Sequence, residues 1–308
     1  MQSLPLDIKI RMTKERTKQW YEYWDGMVYV SFSGGKDSTV LKHIVDSIYD
    51  DVPSLFVNTG LEYPEIQKFA MSQKNVVTIR PKMRFDEVIK KYGYPASTKE
   101  QAAFVYEYKT TKSEKLRSIR LNGNKWGRGK ITNKWIKLLD APFDVSDQCC
   151  DIMKKNPSKY YEKETNRKPF VGTMANESRQ RQSNWLMYGC NAFDKTRPTS
   201  QPLSFWTEQD ILDYIKTFKI PYCSVYGDII EDENKNLMTT ACDRTGCIFC
   251  MFGCHLEKEP NRFQRLKETH PKQYEYCIGG GEMVDGKWQP NKEGLGLGKV
   301  LDYIGVKY

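Results

Sequence analysis

Short apolar runs alternate along the chain with stretches in which apolar residues recur every three to four positions. The runs are Met27-Val28-Tyr29-Val30, Ser54-Leu55-Phe56-Val57-Asn58, Val76-Val77-Thr78-Ile79 and Pro169-Phe170-Val171-Gly172-Thr173, each of strand length. Helical spacing covers Ile8 to Trp24, Thr39 to Val45, a stretch beginning near Pro64, Arg84 to Tyr92, and Trp206 to Ile215, where Thr207 is a cap and Glu208 and Asp210 give an acidic first turn. Strands alternating with helices predict an α/β fold: a mainly parallel central sheet flanked by helices, with right-handed crossovers. Ligands of such sheets bind beyond the carboxyl ends of the strands, where both Ser33–Ser38 and Asn58–Gly60 would sit. The linear reading gives an N-terminal helix over 1–24, an α/β domain over 25–230 with an insertion at about 97–140, and a C-terminal cysteine-bearing subdomain over 231–308. The last thirty or so residues are glycine-rich and close on an apolar helix or strand.

The first run leads into Ser31-Phe32-Ser33-Gly34-Gly35-Lys36-Asp37-Ser38 and then a helix. A strand, a glycine turn and a helix N-terminus leave backbone N–H groups unpaired at the positive end of a helix dipole, which suits phosphate. Gly34 and Gly35 let the backbone approach an anion closely. Ser33 and Ser38 add hydroxyl donors, Lys36 a positive charge, and Asp37 a Mg²⁺ ligand. The glycine spacing is not that of a Walker P-loop. Gly-Gly followed by Lys-Asp-Ser is also ordinary turn and helix-start chemistry; six positions in the right context weigh against that reading.

Charge changes the picture next. The 308 residues carry a net charge of +9. Much of it lies from Lys99 to Lys137, where Lys109, Lys112, Lys115, Arg117, Arg120, Lys125, Arg128, Lys130, Lys134 and Lys137 face few acids. Tyr106, Tyr108, Trp126 and Trp135 are interleaved with them. That composition tracks phosphates and stacks bases, so a nucleic-acid partner is one reading; a solvated insertion is the other. No apolar run has membrane-spanning length, and Met1-Gln2-Ser3-Leu4-Pro5 lacks the apolar core of a secretory signal. The expectation is a cytoplasmic protein without a membrane partner, whose nine cysteines are thiols or metal ligands rather than disulfides.

Those cysteines fall into groups. Cys149 and Cys150 are adjacent, Cys242, Cys247, Cys250 and Cys254 are clustered, and Cys190, Cys223 and Cys277 stand alone. The Cys247-x-x-Cys250 spacing lets two thiolates reach one metal, and two more would complete a Zn²⁺ site or a [4Fe–4S] cluster. Cys242 and Cys254 could supply them locally. His255 is a weaker ligand candidate, and Cys190 and Cys223 read as core residues.

The loop resembles the PP-loop, SGGKDS, of the ATP pyrophosphatase superfamily, whose members cleave ATP between the α and β phosphates and hold the pyrophosphate in the loop. A narrower resemblance covers about Val28 to Cys250. Cys149-Cys150-Asp151-Ile152-Met153-Lys154-Lys155-Asn156-Pro157 looks like the CC-x-x-x-K-x-x-P segment of assimilatory adenylyl-sulfate reductases. Gly172, Glu177, Ser178 and Arg181 are similar to their substrate-binding G…ES-x-x-R segment. Pro202-Leu203, Trp206-Thr207 and Asp210 are similar to their PL-x-x-WT-x-x-D helix start. Asn58-Thr59-Gly60-Leu61-Glu62-Tyr63-Pro64 looks like their DTG-x-x-x-P loop near the adenosine. The best family label is therefore phosphoadenosine phosphosulfate reductase.

The resemblance implies a nucleotide site formed by Ser31, Ser33, Gly34, Gly35, Lys36, Asp37, Ser38, Asn58, Thr59, Gly60, Gly172, Glu177 and Ser178. Lys36, Asp37 and Arg181 would be catalytic, with Mg²⁺ at Asp37. A [4Fe–4S] cluster would sit on Cys149, Cys150, Cys247 and Cys250; Zn²⁺ on Cys242, Cys247, Cys250 and Cys254 is the alternative. Two departures steer the activity. SGGKDS is intact, whereas members that reduce a pre-formed sulfate adenylate have an eroded loop. The Glu-Cys-Gly-Leu-His segment with their nucleophilic cysteine is missing. Both point to an enzyme that cleaves ATP to AMP and pyrophosphate, adenylates an acceptor, and lets a sulfur donor displace AMP. DNA phosphorothioation and tRNA thiolation members work in this way. A sulfonucleotide reductase releasing sulfite, using Cys277 or Cys254 and thioredoxin, is the alternative. A nucleotide-sensing, nucleic-acid-binding module with a structural metal is the third reading. A homo-oligomer is compatible with each.

Overall fold

Helix α1 (Leu6–Tyr23) buries Lys9, Thr13, Thr17 and Trp20, a stripe spaced four, four and three residues. Lys9 is enclosed because its ammonium has partners, 2.6 Å from Asp210 Oδ2 and 2.6 Å from the Gln2 carbonyl. The same Asp210 oxygen accepts from the Thr207 N–H and hydroxyl, and so caps the helix Glu208–Phe218.

The computed structural model describes residues 1–308 throughout. It forms two compact units, each assembled from separate segments. One contains Met1–Asn58, Glu62–Arg80 and Pro157–Thr245; the other contains Thr59–Leu61, Pro81–Asn156 and Gly246–Tyr308. The insertion at 97–140 thus groups with the C-terminal segment, and 231–245 groups with the sheet.

The first unit is the α/β layer structure the sequence pattern predicts. Its strands are β1 (Val28–Ser31), β2 (Ser54–Val57), β3 (Val76–Ile79), β4 (Lys168–Val171), β5 (Asn191–Ala192) and β6 (Thr199–Ser200), in the order β3-β2-β1-β4-β6-β5. All neighbours are parallel except β5, which runs antiparallel on β6. β5 and β6 have two residues each, too short to leave a period in the sequence. Helices α2 (Lys36–Asp46) and α3 (Pro64–Ser72) follow β1 and β2. Val28, Val30, Phe56 and Phe170 from the strands pack with Val40, Leu41, Ile44, Trp20, Trp206 and Tyr214 in one core. The strand order departs in opposite directions from β1, so the gap between β1 and β4 is the topological switch point.

The second unit carries α4 (Phe85–Tyr92), α5 (Lys99–Thr110) and α6 (Glu114–Asn122), with helices Arg262–Thr269, Pro271–Ile278 and Leu297–Ile304. The basic insertion is therefore largely helical. The closing apolar segment is a helix, with Leu297, Val300, Leu301 and Ile304 buried. Gly93 ends α4 at φ 104°, and a Cβ there would run into the Asp144 carbonyl. No helix is long and apolar enough to cross a membrane.

Candidate active site

The loop after β1 is held by its own serines. Ser38 Oγ accepts from the Ser33 N–H at 3.2 Å, lies 3.1 Å from Ser33 Oγ, and donates to the Gly35 carbonyl at 2.9 Å. Gly34 has φ 74°, and a Cβ on it would press on Ile66 and Ala70 of α3 at 3.1–3.2 Å. Gly172, just past β4, is a glycine for a different reason. A Cβ there would lie 3.1 Å from the Asp37 carbonyl, so its smallness lets the start of α2 sit against the end of β4. This places the loop at the switch point.

The expectation of free loop amides holds only in part. The Ser33 N–H is satisfied by Ser38, the Gly35 N–H lies 3.4 Å from Ser33 Oγ, and the Lys36 N–H donates to Tyr226 Oη at 3.2 Å. Tyr226 in turn shares a hydrogen bond with Thr245 Oγ1 at 2.8 Å. Burial keeps this phenol neutral, with its pKa pushed up to about 12. Gly34, Asp37 and Ser38 keep amides without a partner in the chain.

Lys36 is buried, and its ammonium is neutralised locally. It lies 2.7 Å from Glu208 Oε1, donates to the Asp243 carbonyl, and sits 5.2 Å from the centre of the Tyr226 ring. Asp37 is the unsatisfied member. Its Oδ1 is buried without a hydrogen-bond partner, and burial pushes the carboxyl up to about 6 despite the opposing Lys36 charge. A buried, orphaned carboxylate oxygen fits a divalent cation, whose charge would offset that desolvation.

Glu177 joins two arginines beside the loop. Its Oε2 accepts from the Met174 N–H at 2.9 Å and pairs with Arg181, and its Oε1 lies 2.8 Å from Arg244 Nη2. Ser178 caps the helix Arg179–Tyr188 through the Arg181 N–H. Both arginines are half-exposed and Glu177 is largely buried. Ser31 is the last residue of β1. Asn58 is buried and accepts from Gln67 Nε2 at 2.8 Å. Thr59 and Gly60 belong to the second unit, where Thr59 Oγ1 accepts from the Leu61 N–H and the Leu61 carbonyl accepts from the Ile248 N–H.

Sequence reasoning did not find Tyr226, Glu208, Asp243, Arg244 or Thr245. Four of them are ordinary surface residue types. The signal available for Arg244-Thr245 was its position just ahead of the Cys247-x-x-Cys250 turn.

In the second unit, Cys149 Sγ lies 4.0 Å from Cys150 Sγ, and Cys150 precedes a π-helical turn, Asp151–Lys155. The thiol hydrogen bond pushes Cys149 up, with burial and the charges of Cys150, Cys250 and Cys247 adding to it. The same bond holds Cys150 below the ordinary thiol range, helped by Lys99, Lys154 and Lys155. Burial raises Cys250, and Arg262, which donates to its carbonyl at 2.9 Å, opposes that. Four thiols close enough to perturb one another, ringed by cations, fit a sulfur-ligated anionic cluster. No group of three or more His, Cys, Asp or Glu side chains is arranged to hold a metal ion, for either cysteine set. Cys242 lies in the first unit and donates to the Arg244 carbonyl at 2.9 Å, while Cys247, Cys250 and Cys254 lie in the second. His255 packs its ring against Trp135 at 4.7 Å.

The two thiols considered as nucleophiles are ill-suited. Cys277 is fully buried, and burial pushes its pKa far up. Cys254 is 1% exposed and raised to about 11. Neither would be a thiolate near neutral pH. Cys190 and Cys223 are buried, as expected. Trp135 is also buried, so it cannot stack on a base.

A doubly wound sheet with a glycine–serine loop at its switch point defines an α/β protein of the class that holds ligands at strand carboxyl ends. More narrowly, the chain belongs to the phosphoadenosine phosphosulfate reductase domain family, whose sequence pattern matches residues 27–129 and 101–252. It is 25% identical over 264 residues to the uncharacterized protein MJ0066 of Methanocaldococcus jannaschii, covering 84% of this chain and 42% of that one. It is 36% identical over 86 residues to MJ0973 of the same organism, covering 25% of this chain and 21% of that one. The chain thus spans less than half the length of either relative. Among solved structures it resembles the phosphoadenylyl-sulfate reductase of Candida auris, with a TM-score of 0.40, 14% identity, and 76% of this chain and 98% of that one covered. It also resembles the U34-tRNA thiolase NcsA of Methanococcus maripaludis, solved with its [4Fe–4S] cluster. There the TM-score is 0.37 at 15% identity, covering 70% of this chain and 66% of that one. Likeness at this level carries no assignment of activity.

Proposed function

We infer that the protein is an ATP-dependent adenylating enzyme that prepares an acceptor for sulfur transfer. One observation carries the reading: in the intact Ser33–Ser38 loop, Asp37 keeps a buried carboxylate oxygen without a partner next to the buried Lys36, and the Gly34, Asp37 and Ser38 amides are also unpartnered. The loop amides and the Ser33 and Ser38 hydroxyls bind the β and γ phosphates of ATP. Asp37 would hold Mg²⁺, which supplies charge neutralisation on the phosphates when bound. Lys36 exchanges Glu208 and the Asp243 carbonyl for phosphate oxygens and stabilises the leaving pyrophosphate. Arg181 and Arg244, both on Glu177, add positive charge at the loop.

In the first step the bond from the α phosphorus to its bridging oxygen breaks, and an acceptor oxygen takes its place, losing its proton. In the second, a donor at the oxidation level of sulfide attacks the activated carbon, and AMP leaves with the acceptor oxygen, so no external electron is consumed. Cys149, Cys150, Cys247 and Cys250 would hold a [4Fe–4S] cluster, one thiolate to each iron, which when bound would supply electrostatic and electron-transfer chemistry. Sulfonucleotide reduction finds less support, because Cys254 and Cys277 are buried and their thiols disfavour ionisation.

The test is anaerobically purified protein with ATP labelled in the γ phosphate. Pyrophosphate released on addition of an acceptor, with AMP formed in equal amount, supports the reading. Turnover of adenylyl sulfate to sulfite without pyrophosphate overturns it.

A further inference from the structure

Between residues 99 and 137 there are eleven Lys and Arg against three acids, Glu100, Glu107 and Glu114. The structure separates the cations that build the hairpin from those that do not. Arg117 pairs with Glu114 at 2.8 Å, Lys109 with Asp144 at 3.8 Å, Lys99 with Asp151 at 3.9 Å, and Lys137 donates to the Tyr303 carbonyl. Arg120 is the internal fastener. Its Nε lies 2.6 Å from Glu107, its Nη1 donates to the Gly129 carbonyl, and it stacks 4.1 Å from the Phe104 ring. Lys112, Lys115, Lys125, Arg128, Lys130 and Lys134 are exposed and make no ion pair.

The loop after α6 is ordered by its own hydrogen bonds. Asn124 Oδ1 accepts from the N–H groups of Trp126 and Arg128, the Asn124 N–H donates to the Arg128 carbonyl, and the Ile131 N–H donates to the Arg120 carbonyl. At its tip Trp126 is 70% exposed, its only ring contact being Lys125 at 4.3 Å. Helix α6 itself buries no residue. A tightly hydrogen-bonded loop therefore holds a large aromatic face in water, where it contributes nothing to a core.

We propose that the α5–α6 hairpin binds single-stranded nucleic acid, with Trp126 as the stacking platform and the six unpaired cations as phosphate contacts. A lone indole between Lys125 and Arg128 suits base stacking, which every nucleobase offers once unstacked from a partner strand. Membrane insertion would instead call for a cluster of apolar side chains at the tip, and Gly127 and two cations flank the indole. The proposal deepens the adenylation reading by giving the acceptor a class, but binding is measured without ATP, so the two fail separately.

The experiment is fluorescence anisotropy of the full chain with labelled 20-nucleotide RNA and DNA single strands and the matching duplex, from 50 to 300 mM salt. Phosphatidylserine vesicles are run in parallel. Single strands of either polymer should bind more tightly than duplex, the preferred one naming the natural ligand. The log–log salt slope should be about −0.7 per phosphate contact, and K125Q/K130Q should flatten it by about 1.4. Trp126→Ala should weaken binding by about ten-fold or more, and Trp126→Phe should restore most of it. Thermal unfolding of the variants should match that of the parent, since Trp126 packs against no core. Unchanged affinity in Trp126→Ala, a preference for duplex, or binding to vesicles but not to oligonucleotides would overturn the proposal.

Discussion

The guanidinium of Arg244 lies 2.8 Å from the carboxylate of Glu177, which also pairs with Arg181. One largely buried acid thereby holds two half-exposed cations beside the Ser33–Ser38 loop. Arg244→Ala should raise the KM for ATP in pyrophosphate release by about ten-fold or more, the value of a charge-assisted contact. Its Tm should hardly move, because an exposed ion pair stabilises little. An unchanged KM would remove Arg244 from the site.

Asp37 gives a pH signature. Its folded carboxyl titrates near 6, above its ordinary value of 3.8, so the folded chain holds this proton more tightly than the unfolded chain does. The stability it confers as a neutral acid is therefore lost as pH rises from about 4 to 6, and Asp37 ionised above 6 strains the fold. Asp37→Asn should raise the Tm of the metal-free protein at pH 7.5 by about 2 °C or more and leave it nearly unchanged at pH 4. Pyrophosphate release should fall sharply in the same variant. A Tm at pH 7.5 below the parent's would contradict the assignment.

Gly34→Ala combines a left-handed backbone with a Cβ crowded by Ile66 and Ala70. It should cost more than about 1 kcal/mol of stability and abolish ATP binding, both measurable by thermal shift with and without nucleotide.

The cysteine sets make opposite predictions. Cys149→Ala should lose the brown colour and the iron and sulfide of anaerobically purified protein, whereas Cys242→Ala should keep them. Retained iron in Cys149→Ala would hand the site to the local cysteines.

Asp210 bridges Lys9 of α1 and the cap at Thr207. Asp210→Ala leaves a buried ammonium unpaired and should cost about 3–5 kcal/mol, read as a drop in the urea midpoint. Lys9→Met combined with Asp210→Leu should recover much of the loss.

Much of the sheet was legible because four of its strands announce themselves as apolar runs. Their order was not, nor were β5 and β6, since pairing between distant segments leaves no local period. The serines, Lys36 and Asp37 could be named because phosphate chemistry restricts the residue types at a strand–helix turn. Tyr226 and Glu208 could not, because a buried tyrosine hydroxyl or a surface acid reads the same wherever it lies. Gly172 was named from the family resemblance; the structure adds a packing reason the sequence did not show, since its missing Cβ admits the start of α2.

Taken alone, the sequence determined the α/β class, the loop and its register on the helix, and the two cysteine groups, all set by short-range pattern and spacing. Only the tertiary structure decided that 97–140 groups with the C-terminal segment, that 231–245 groups with the sheet, and that Cys277 is sealed in a core. It also decided that Asp37 keeps an orphaned oxygen while Lys36 does not lack partners. Burial and partnership depend on residues far away in the chain, and those fix the charge state that turns Ser33–Ser38 from a turn into a candidate site.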